Sequence, residues 1–551
     1  MARQASGRVR SIPMTEGSLW KNIFLFSVPL IFSQLLQVLF NMADVAVVGK
    51  FASSTALGSV GSTTTLVTLF TGYLIGMGCG VNVRVAQHLG AGQEKQTQEA
   101  VHTSLLLCTL AGLIITVLCL TMAEPMLKLL KTKDDLIDGA VLYFRIYALG
   151  MPALGIFNFG NAVLSANGDT KRPLVYLTIA GVLNVILNLF FVIVCKMAAD
   201  GVALASILSQ YLSAVLIIWH MLRLEDSCRL IPRCIRFHKE QVGRILALGI
   251  PAGVQNMIFA IANLFIQVGV NSFDSIMVSG NSAAANTDSI VYNVMAAFHT
   301  ACSSFMGQNW GAGNRERMIK SYRISLLYSF LSGALIGLSL LFFGEGFLFI
   351  FTNDPAVVAA GMQRMRIMCF SYAISAFMDC TIAACRGIGR SFVPTVIVIL
   401  GSCVFRVIWV YTIFAHFHTI PSLYLLYAFS WAITAWKPRR IFSASKSRGI
   451  CWCSMLTMPL LLDFPGRGRP ISSPGKRPPT VFGKRGTGLC VGGRGYSMCM
   501  IFCCPVFTTL RTTWLPWRRW RDWSAMNASA PWQRISAAWS IALNWCGLRT
   551  A

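Results

Sequence analysis

Charged residues are scarce in this chain of 551 residues, because they make up only 12% of it while hydrophobic residues make up 55%. The mean hydropathy is +0.60. A soluble protein of this size needs a larger charged surface, so the composition excludes an ordinary soluble enzyme and predicts an all-α polytopic membrane protein. The sequence also lacks a Walker loop, a His-Glu-x-x-His pair and cysteines at metal-binding spacing. We therefore expect no enzymatic activity and no cofactor.

Acidic residues are almost absent from the C-terminal fifth of the chain. Residues 436–551 contain 18 Lys and Arg against two acids, Asp463 and Asp522, and supply +16 of the net charge of +26. The same segment holds nine of the 14 Trp and ten of the 20 Pro. The basic charge is thus concentrated in an irregular tail, and no nucleic-acid partner is expected. Two interpretations of the tail stay open: translation outside the frame of the preceding chain, or a genuine basic tail lying on anionic lipid.

Apolar windows of about 20 residues, the length needed to cross a bilayer, recur twelve times before the tail. We place the spans at residues 22–48, 56–80, 100–122, 136–157, 173–195, 199–221, 246–270, 282–306, 324–344, 367–385, 391–415 and 421–435. The twelfth is truncated, since 15 residues give a helix of only about 22 Å. Lys and Arg are concentrated in the N-terminal segment and in every second loop after it. Because cytoplasmic loops carry an excess of Lys and Arg, this predicts a cytoplasmic N-terminus. By these boundaries only Arg145 and Arg406 are basic residues within a span.

Several polar phrases occur twice, half a chain apart. "GAG" at residues 90–92 recurs at 311–313, and the "ANGDTKRP" and "RGIGRSFVP" phrases share the same offset of 221. "SVPLIFSQ" and "GIPAGVQN" differ by 222. The duplication predicts two pseudo-symmetric six-helix lobes, related by an axis along the membrane normal. The predicted parts are a cytoplasmic N-terminal segment 1–21, an N-terminal lobe 22–222, a cytoplasmic linker 223–243, a C-terminal lobe 244–435 and the tail 436–551.

One acid lies deep in the first span. Asp44 follows three amides, Gln34, Gln37 and Asn41, by one to three helical turns. An ionised Asp near the bilayer centre costs about 2.5–3.5 kcal/mol, so such a residue is usually functional. The alternative is an acid near the outer end of the helix that stays solvated. We expect Asp44 to exchange a proton or a sodium ion for a cationic substrate.

The motifs of the chain resemble a known family. "NMADVAVVG", "SANGDTKRP", "LNVILNLFFV" and "GQNWGAGNRERM" stand in the order found in multidrug and toxic compound extrusion (MATE) transporters, especially their bacterial DinF-like branch. The resemblance covers roughly residues 15–435. It implies twelve helices in two lobes (the MATE fold), a bacterial plasma (inner) membrane location, and exchange of cations for drug-like organic cations. We expect membrane lipids as further partners and a monomer.

The resemblance also implies a cation site. In the family an Asn, an acid and a Thr join the Asp of the first span, and the matching residues here are Asn184, Asn188 and Ser206. One carboxylate instead of two weakens a site for a hard cation, which favours a proton over sodium as the coupling ion at Asp44. Both ions stay possible.

Two further acids are candidates for the substrate cavity, together with Gln34, Gln37 and Asn41. Asp288 lies in the eighth span and Asp379 in the tenth. Arg386 follows Asp379 by two helical turns and is an alternative, structural partner for it.

Three functions are compatible with this pattern. A cation-coupled drug antiporter working by alternating access is favoured. A flippase for lipid-linked sugars has related architecture, but its cavity needs several basic residues for pyrophosphate. The third possibility is an inactive membrane protein, because the last helix is incomplete.

Overall fold

Long helices follow one another along the chain in a computed structural model, which describes residues 11–52, 54–130 and 132–436. No strand occurs in these ranges, which confirms the predicted all-α class. The predicted tail, apart from Trp436 at the end of the last helix, lies outside the described residues.

Seven helices form the first half, which we call the N-lobe (residues 19–222). They are α1 (Leu19–Phe51), α2 (Ser54–Gly90), α3 (Glu94–Leu129), α4 (Asp134–Ala148), α5 (Met151–Ala166), α6 (Lys171–Leu189) with a π-helical extension (Phe190–Val194), and α7 (Ala199–Leu222). Helices α4 and α5 are bent by 44° relative to each other at a short break.

The second half, the C-lobe (residues 239–436), follows a connection that contains one 3-10 turn, Pro232–Cys234. It comprises α8 (Lys239–Val270), α9 (Ser275–Gly311), α10 (Arg315–Leu348), α11 (Pro355–Gly387), α12 (Phe392–Val398), a π-helical segment (Ile399–Val404), α13 (Phe405–Trp409), a second π-helical segment (Val410–Phe414), α14 (Ala415–Phe417) and α15 (Ile420–Trp436).

Among the described residues, nine helices are long and apolar enough to cross a membrane, or ten when the bent pair counts as one span. The remaining two of the twelve predicted spans are α9, which is rich in polar residues, and α15, which has only 17 residues. Every predicted span nevertheless falls on a helix.

The two halves share one register. The helices α2, α3, α4, α6 and α7 begin at positions 54, 94, 134, 171 and 199. Their counterparts α9, α10, α11, α12 and α15 begin at positions 275, 315, 355, 392 and 420, so the offset is 221 in each case. The offset that the polar phrases have in the sequence is therefore also the offset of the helices.

Several helices extend beyond the predicted spans, and α11 does so most at its start. Helix α11 begins at Pro355 rather than at residue 367, because Asp354 caps its first turn by accepting a hydrogen bond from the backbone N–H of Ala356 (2.9 Å). Proline is favoured at this first helical position. Likewise α8 begins at Lys239, so the connection between the lobes is shorter than the predicted linker 223–243.

The first glycine of each "GAG" phrase lies at a close contact between the lobes. A Cβ atom at Gly90 would lie 1.9 Å from the backbone oxygen of Gln308, and one at Gly311 would lie 2.0 Å from that of Gln87. Since 87 and 308 also differ by 221, the contact is reciprocal. We call the end of the bundle where these residues meet the closed end.

The last glycine of each phrase has a different role. Gly92 and Gly313 have φ angles of +66° and +69°, a region that side chains other than glycine rarely adopt. The phrase thus combines a close helix approach with a left-handed turn in each lobe.

Hydrogen bonds between the lobes also concentrate at the closed end. Ser304 Oγ donates to Asn82 Oδ1 (3.0 Å), and Arg317 donates to three backbone oxygens of the segment 14–17 that precedes α1. The bond farthest from this end joins Asn256 Nδ2 to the oxygen of Gly72, at the middle of α2. Beyond that point no hydrogen bond joins the lobes among the described residues.

Substituting Gly90 by Ala should open the closed end, because the added methyl group and the oxygen of Gln308 cannot both keep their positions. We expect faster hydrogen–deuterium exchange in peptides covering residues 82–94 and 304–316. Gly61→Ala in the same helix is the control, since nothing lies within 4 Å of its Cβ position. Unchanged exchange in Gly90→Ala would contradict this role.

Candidate cation site

Three helices of the N-lobe bring the predicted cation ligands together. Asn188 Nδ2 on α6 donates to Asp44 Oδ1 on α1 (2.5 Å), and Ser206 Oγ on α7 donates to Asp44 Oδ2 (3.4 Å). Asn184 Nδ2 donates to Ser206 Oγ (3.4 Å), and Asn188 Nδ2 also approaches Asn184 Oδ1 (3.2 Å). All four residues implied by the resemblance therefore meet in one cluster, which we call the Asp44 cluster.

The local sequence explains this convergence. Asn184 and Asn188 are four residues apart, so both project from one face of α6 toward α1. The π-helical turn that begins at Phe190 follows them directly, and π-helical turns are frequent at functional sites. Asn188 is fully buried, and Asn184 and Ser206 are each 6% exposed. The three partners are thus buried in the N-lobe, and Asp44 itself is partly buried.

The charge of Asp44 has no basic partner. Among the described residues no Lys or Arg lies within 4 Å of its carboxylate, which is surrounded by amide and hydroxyl groups instead. Asn188 Oδ1 is buried and has no hydrogen-bond partner. A partly buried carboxylate beside an unsatisfied amide oxygen offers oxygen ligands of the kind that hard cations prefer, and the carboxylate alone is able to hold a proton.

The three amides that precede Asp44 do not join this cluster. Gln34 and Gln37 are half-buried, Asn41 is exposed, and none forms a hydrogen bond with Asp44 in the described structure. Helical periodicity places them on the same side of α1, but the carboxylate turns toward α6 and α7.

In the C-lobe, Asp288 on α9 belongs to an ion pair with Arg364 on α11. Tyr372 Oη donates to the other oxygen of this carboxylate, and Arg364 also donates to the side chain of Asn281. Tyr424 Oη on α15 donates to Asn281 Oδ1 (2.7 Å). The network links three helices and compensates the charge of Asp288.

This ion pair corrects the count of embedded basic residues. Arg364 is only 7% exposed and lies within α11, whereas the short span expected from the sequence left it outside. Arg386 lies in the same helix. The sequence contains a signal for this earlier start of α11, because an Asp-Pro pair at 354–355 is typical of a helix start.

Asp379 is not paired with Arg386 in the way that the spacing of seven residues suggests. Arg386 Nη2 donates to Gln255 Oε1 on α8 (3.0 Å), and this oxygen also accepts a bond from Thr395 Oγ1 (3.3 Å). Asp379 Oδ2 is buried without a hydrogen-bond partner, and no basic group of the described residues lies within 4 Å. Among the described residues, neither Asp379 nor Asp288 forms a hydrogen bond with the Asp44 cluster.

Comparison with known proteins adds independent observations. A family model described as MatE matches residues 29–190 and again residues 251–412. The probable multidrug resistance protein YpnP of Bacillus subtilis is 29% identical over 364 residues, 66% of this chain and 81% of that protein. The probable multidrug resistance protein NorM of Thermotoga maritima is 24% identical over 69% of this chain and 82% of its own length. The FAD transporter of Shewanella oneidensis is 25% identical over 58% of this chain and 71% of its own length.

Solved structures agree in fold. A MOP superfamily transporter from Pyrococcus furiosus superposes with a TM-score of 0.73 at 20% identity, covering 78% of this chain and 96% of that one. A MATE family transporter in an outward-facing conformation superposes with a TM-score of 0.72 at 21% identity and the same coverage of both chains. With both halves of the chain matched by one family model, the protein belongs to the MatE family, whose members are membrane transporters and not enzymes.

Proposed function

We propose that this protein is a cation-coupled antiporter of the bacterial inner membrane that exports cationic or amphipathic organic compounds. Three relatives carry names of drug resistance or cofactor transport, which supports export of small organic molecules. The coupling ion is a proton or a sodium ion, and it binds at Asp44.

The observation that carries this proposal is the unpaired carboxylate of the Asp44 cluster. A charge within the apolar part of a membrane protein is costly unless it is compensated, and here only neutral groups surround it. A proton or a sodium ion supplies the missing compensation. Its arrival and departure then change the electrostatic free energy of the N-lobe, which is the requirement for coupling to a second event.

The places where the two lobes touch support alternating access as the transport mechanism. They meet at the closed end, where α2 and α9 approach through Gly90 and Gly311, and no hydrogen bond of the described residues joins them beyond Gly72. The predicted topology places the closed end in the cytoplasm, so this structure corresponds to an outward-facing state. Opening the closed end while the opposite end closes would carry substrate from one side to the other.

The test uses the purified full chain in lipid vesicles loaded with ethidium, an organic cation. We expect ethidium to move against its gradient when either a proton or a sodium gradient is imposed, and to stay in equilibrium without one. A response to one gradient only identifies the coupling ion. No response to either gradient would contradict antiport and favour an inactive protein, and movement of a lipid-linked sugar without ethidium transport would favour the flippase.

A further inference from the structure

The shared register of the lobes identifies the C-lobe counterpart of the Asp44 cluster. Helices α6 and α12 start at positions 171 and 392, an offset of 221, but both ends of the two family-model matches have an offset of 222. The π-helical segment Ile399–Val404 accounts for the difference of one, since a π-helical turn inserts one residue into a helix. At an offset of 222, Asn184 of the cluster corresponds to Arg406 on α13.

The counterpart is a junction of the equivalent three helices. Arg406 Nη1 approaches Asn263 Oδ1 on α8 (3.4 Å), and its Nε approaches Ser430 Oγ on α15 (3.4 Å). The equivalent helices of the N-lobe are α1, α6 and α7, which hold the Asp44 cluster. A guanidinium group therefore occupies the junction that in the N-lobe is lined by a carboxylate and amides.

Aromatic rings hold this guanidinium group. Its carbon lies 4.5 Å from the ring centroid of Tyr427, 5.7 Å from that of Trp431 and 5.6 Å from that of Phe259. Arg406 is only 2% exposed, and no carboxylate of the described residues lies within salt-bridge distance. Faces of aromatic rings attract cations, most strongly where water is excluded. The junction is thus built to hold a positive charge.

The residue that corresponds to Asp44 in the repeat is also changed. At the same offset of 222, the position of Asp44 corresponds to that of Ile266, whose side chain is buried among apolar neighbours of the C-lobe. Asp379 on α11 is the acid whose charge reaches Arg406, from beyond salt-bridge distance. Among the described residues, no carboxylate contacts the guanidinium group of the C-lobe junction. Its positive charge is permanent because a guanidinium group stays protonated in proteins.

We propose that Arg406 is a tethered cation, which permanently fills the C-lobe counterpart of the Asp44 cluster and restricts cation exchange to the N-lobe. The inference rests on the proposed antiport and specifies its stoichiometry as one coupling cation per transport cycle. Each junction then holds one positive charge: an exchangeable coupling ion at Asp44 in the N-lobe, and the fixed guanidinium group of Arg406 in the C-lobe.

The first test measures this stoichiometry with the unmodified protein in vesicles. The cation gradient at which net ethidium flux reverses is determined at several ethidium gradients, and the ratio gives the number of coupling charges. We expect one cation per cycle, and a value of two would overturn the proposal. Absence of any gradient-driven flux would instead contradict the antiport function itself.

The second test needs no transport. Arg406→Ala removes the tethered cation, and we expect millimolar methylguanidinium to raise the melting temperature of this purified variant, because a ligand that binds only the folded state stabilises it. Arg406→Lys, which keeps a positive charge, and the unmodified protein are the controls and should not respond. Equal responses of all three proteins, or none in Arg406→Ala, would overturn the proposal.

A transport measurement completes the comparison. Ethidium export by Arg406→Ala should fall by about tenfold or more, the effect of losing one charged group with its hydrogen bonds. Methylguanidinium should restore part of it. If Arg406→Ala does not fold, the stoichiometry of the unmodified protein still decides the question.

Discussion

Replacing Asp44 by Asn removes gradient-driven export. The substitution keeps the size of the side chain, but it replaces one of the two acceptor oxygens by an NH2 donor and eliminates the only charge in the cluster. Loss of a charged hydrogen-bonding group weakens binding by about 1.5–3 kcal/mol, or roughly 10- to 100-fold in cation affinity. Ethidium efflux from vesicles under an imposed proton or sodium gradient measures the effect. We expect efflux to fall to the level of protein-free vesicles.

The matched control is Asp138→Asn, the same chemical change in the same lobe. Asp138 lies on α4 with an exposed side chain, so its charge is solvated and its removal should leave efflux unchanged. Gradient-driven efflux by Asp44→Asn equal to that of the unmodified protein would mean that the coupling cation binds elsewhere.

Replacing Arg364 by Met strongly destabilises the C-lobe. The variant leaves Asp288 as a partly buried charge without its partner, and breaking a buried ion pair from one side costs up to about 3–5 kcal/mol. The thermal melting of the purified protein in detergent reports this loss. The double variant Arg364→Met with Asp288→Leu removes both charges and should recover most of the stability.

Arg366→Met is the control for the ion pair. Arg366 lies two residues away on the same helix with an exposed side chain, and surface substitutions usually change stability by about 0.5 kcal/mol or less. If Arg364→Met melts like Arg366→Met, the network of Asp288, Tyr372 and Arg364 does not stabilise the lobe. If the double variant is no more stable than Arg364→Met, the loss comes from packing rather than from the unpaired charge.

Much of the architecture is already encoded in local patterns. Apolar windows locate all helices, because a chain that crosses lipid must bury its backbone hydrogen bonds within each segment. The repeated polar phrases predict the duplication, and the helix starts reproduce their offset. The Asp44 cluster is also predictable, but only because the resemblance to a family supplies Asn184, Asn188 and Ser206 as partners. Periodicity along α1 alone selects Gln37 and Asn41, which lie apart from it.

The sequence by itself determined that this is an all-helical membrane transporter of two similar halves with an acid in its first span. Only the tertiary structure decided which charges are compensated. Asp288 meets Arg364, Arg386 meets Gln255 rather than Asp379, and Arg406 enters a cage of aromatic rings. The physical reason is that hydropathy and spacing describe neighbours on one helix. Each of these partners lies on a different helix, and they meet only when the helices pack.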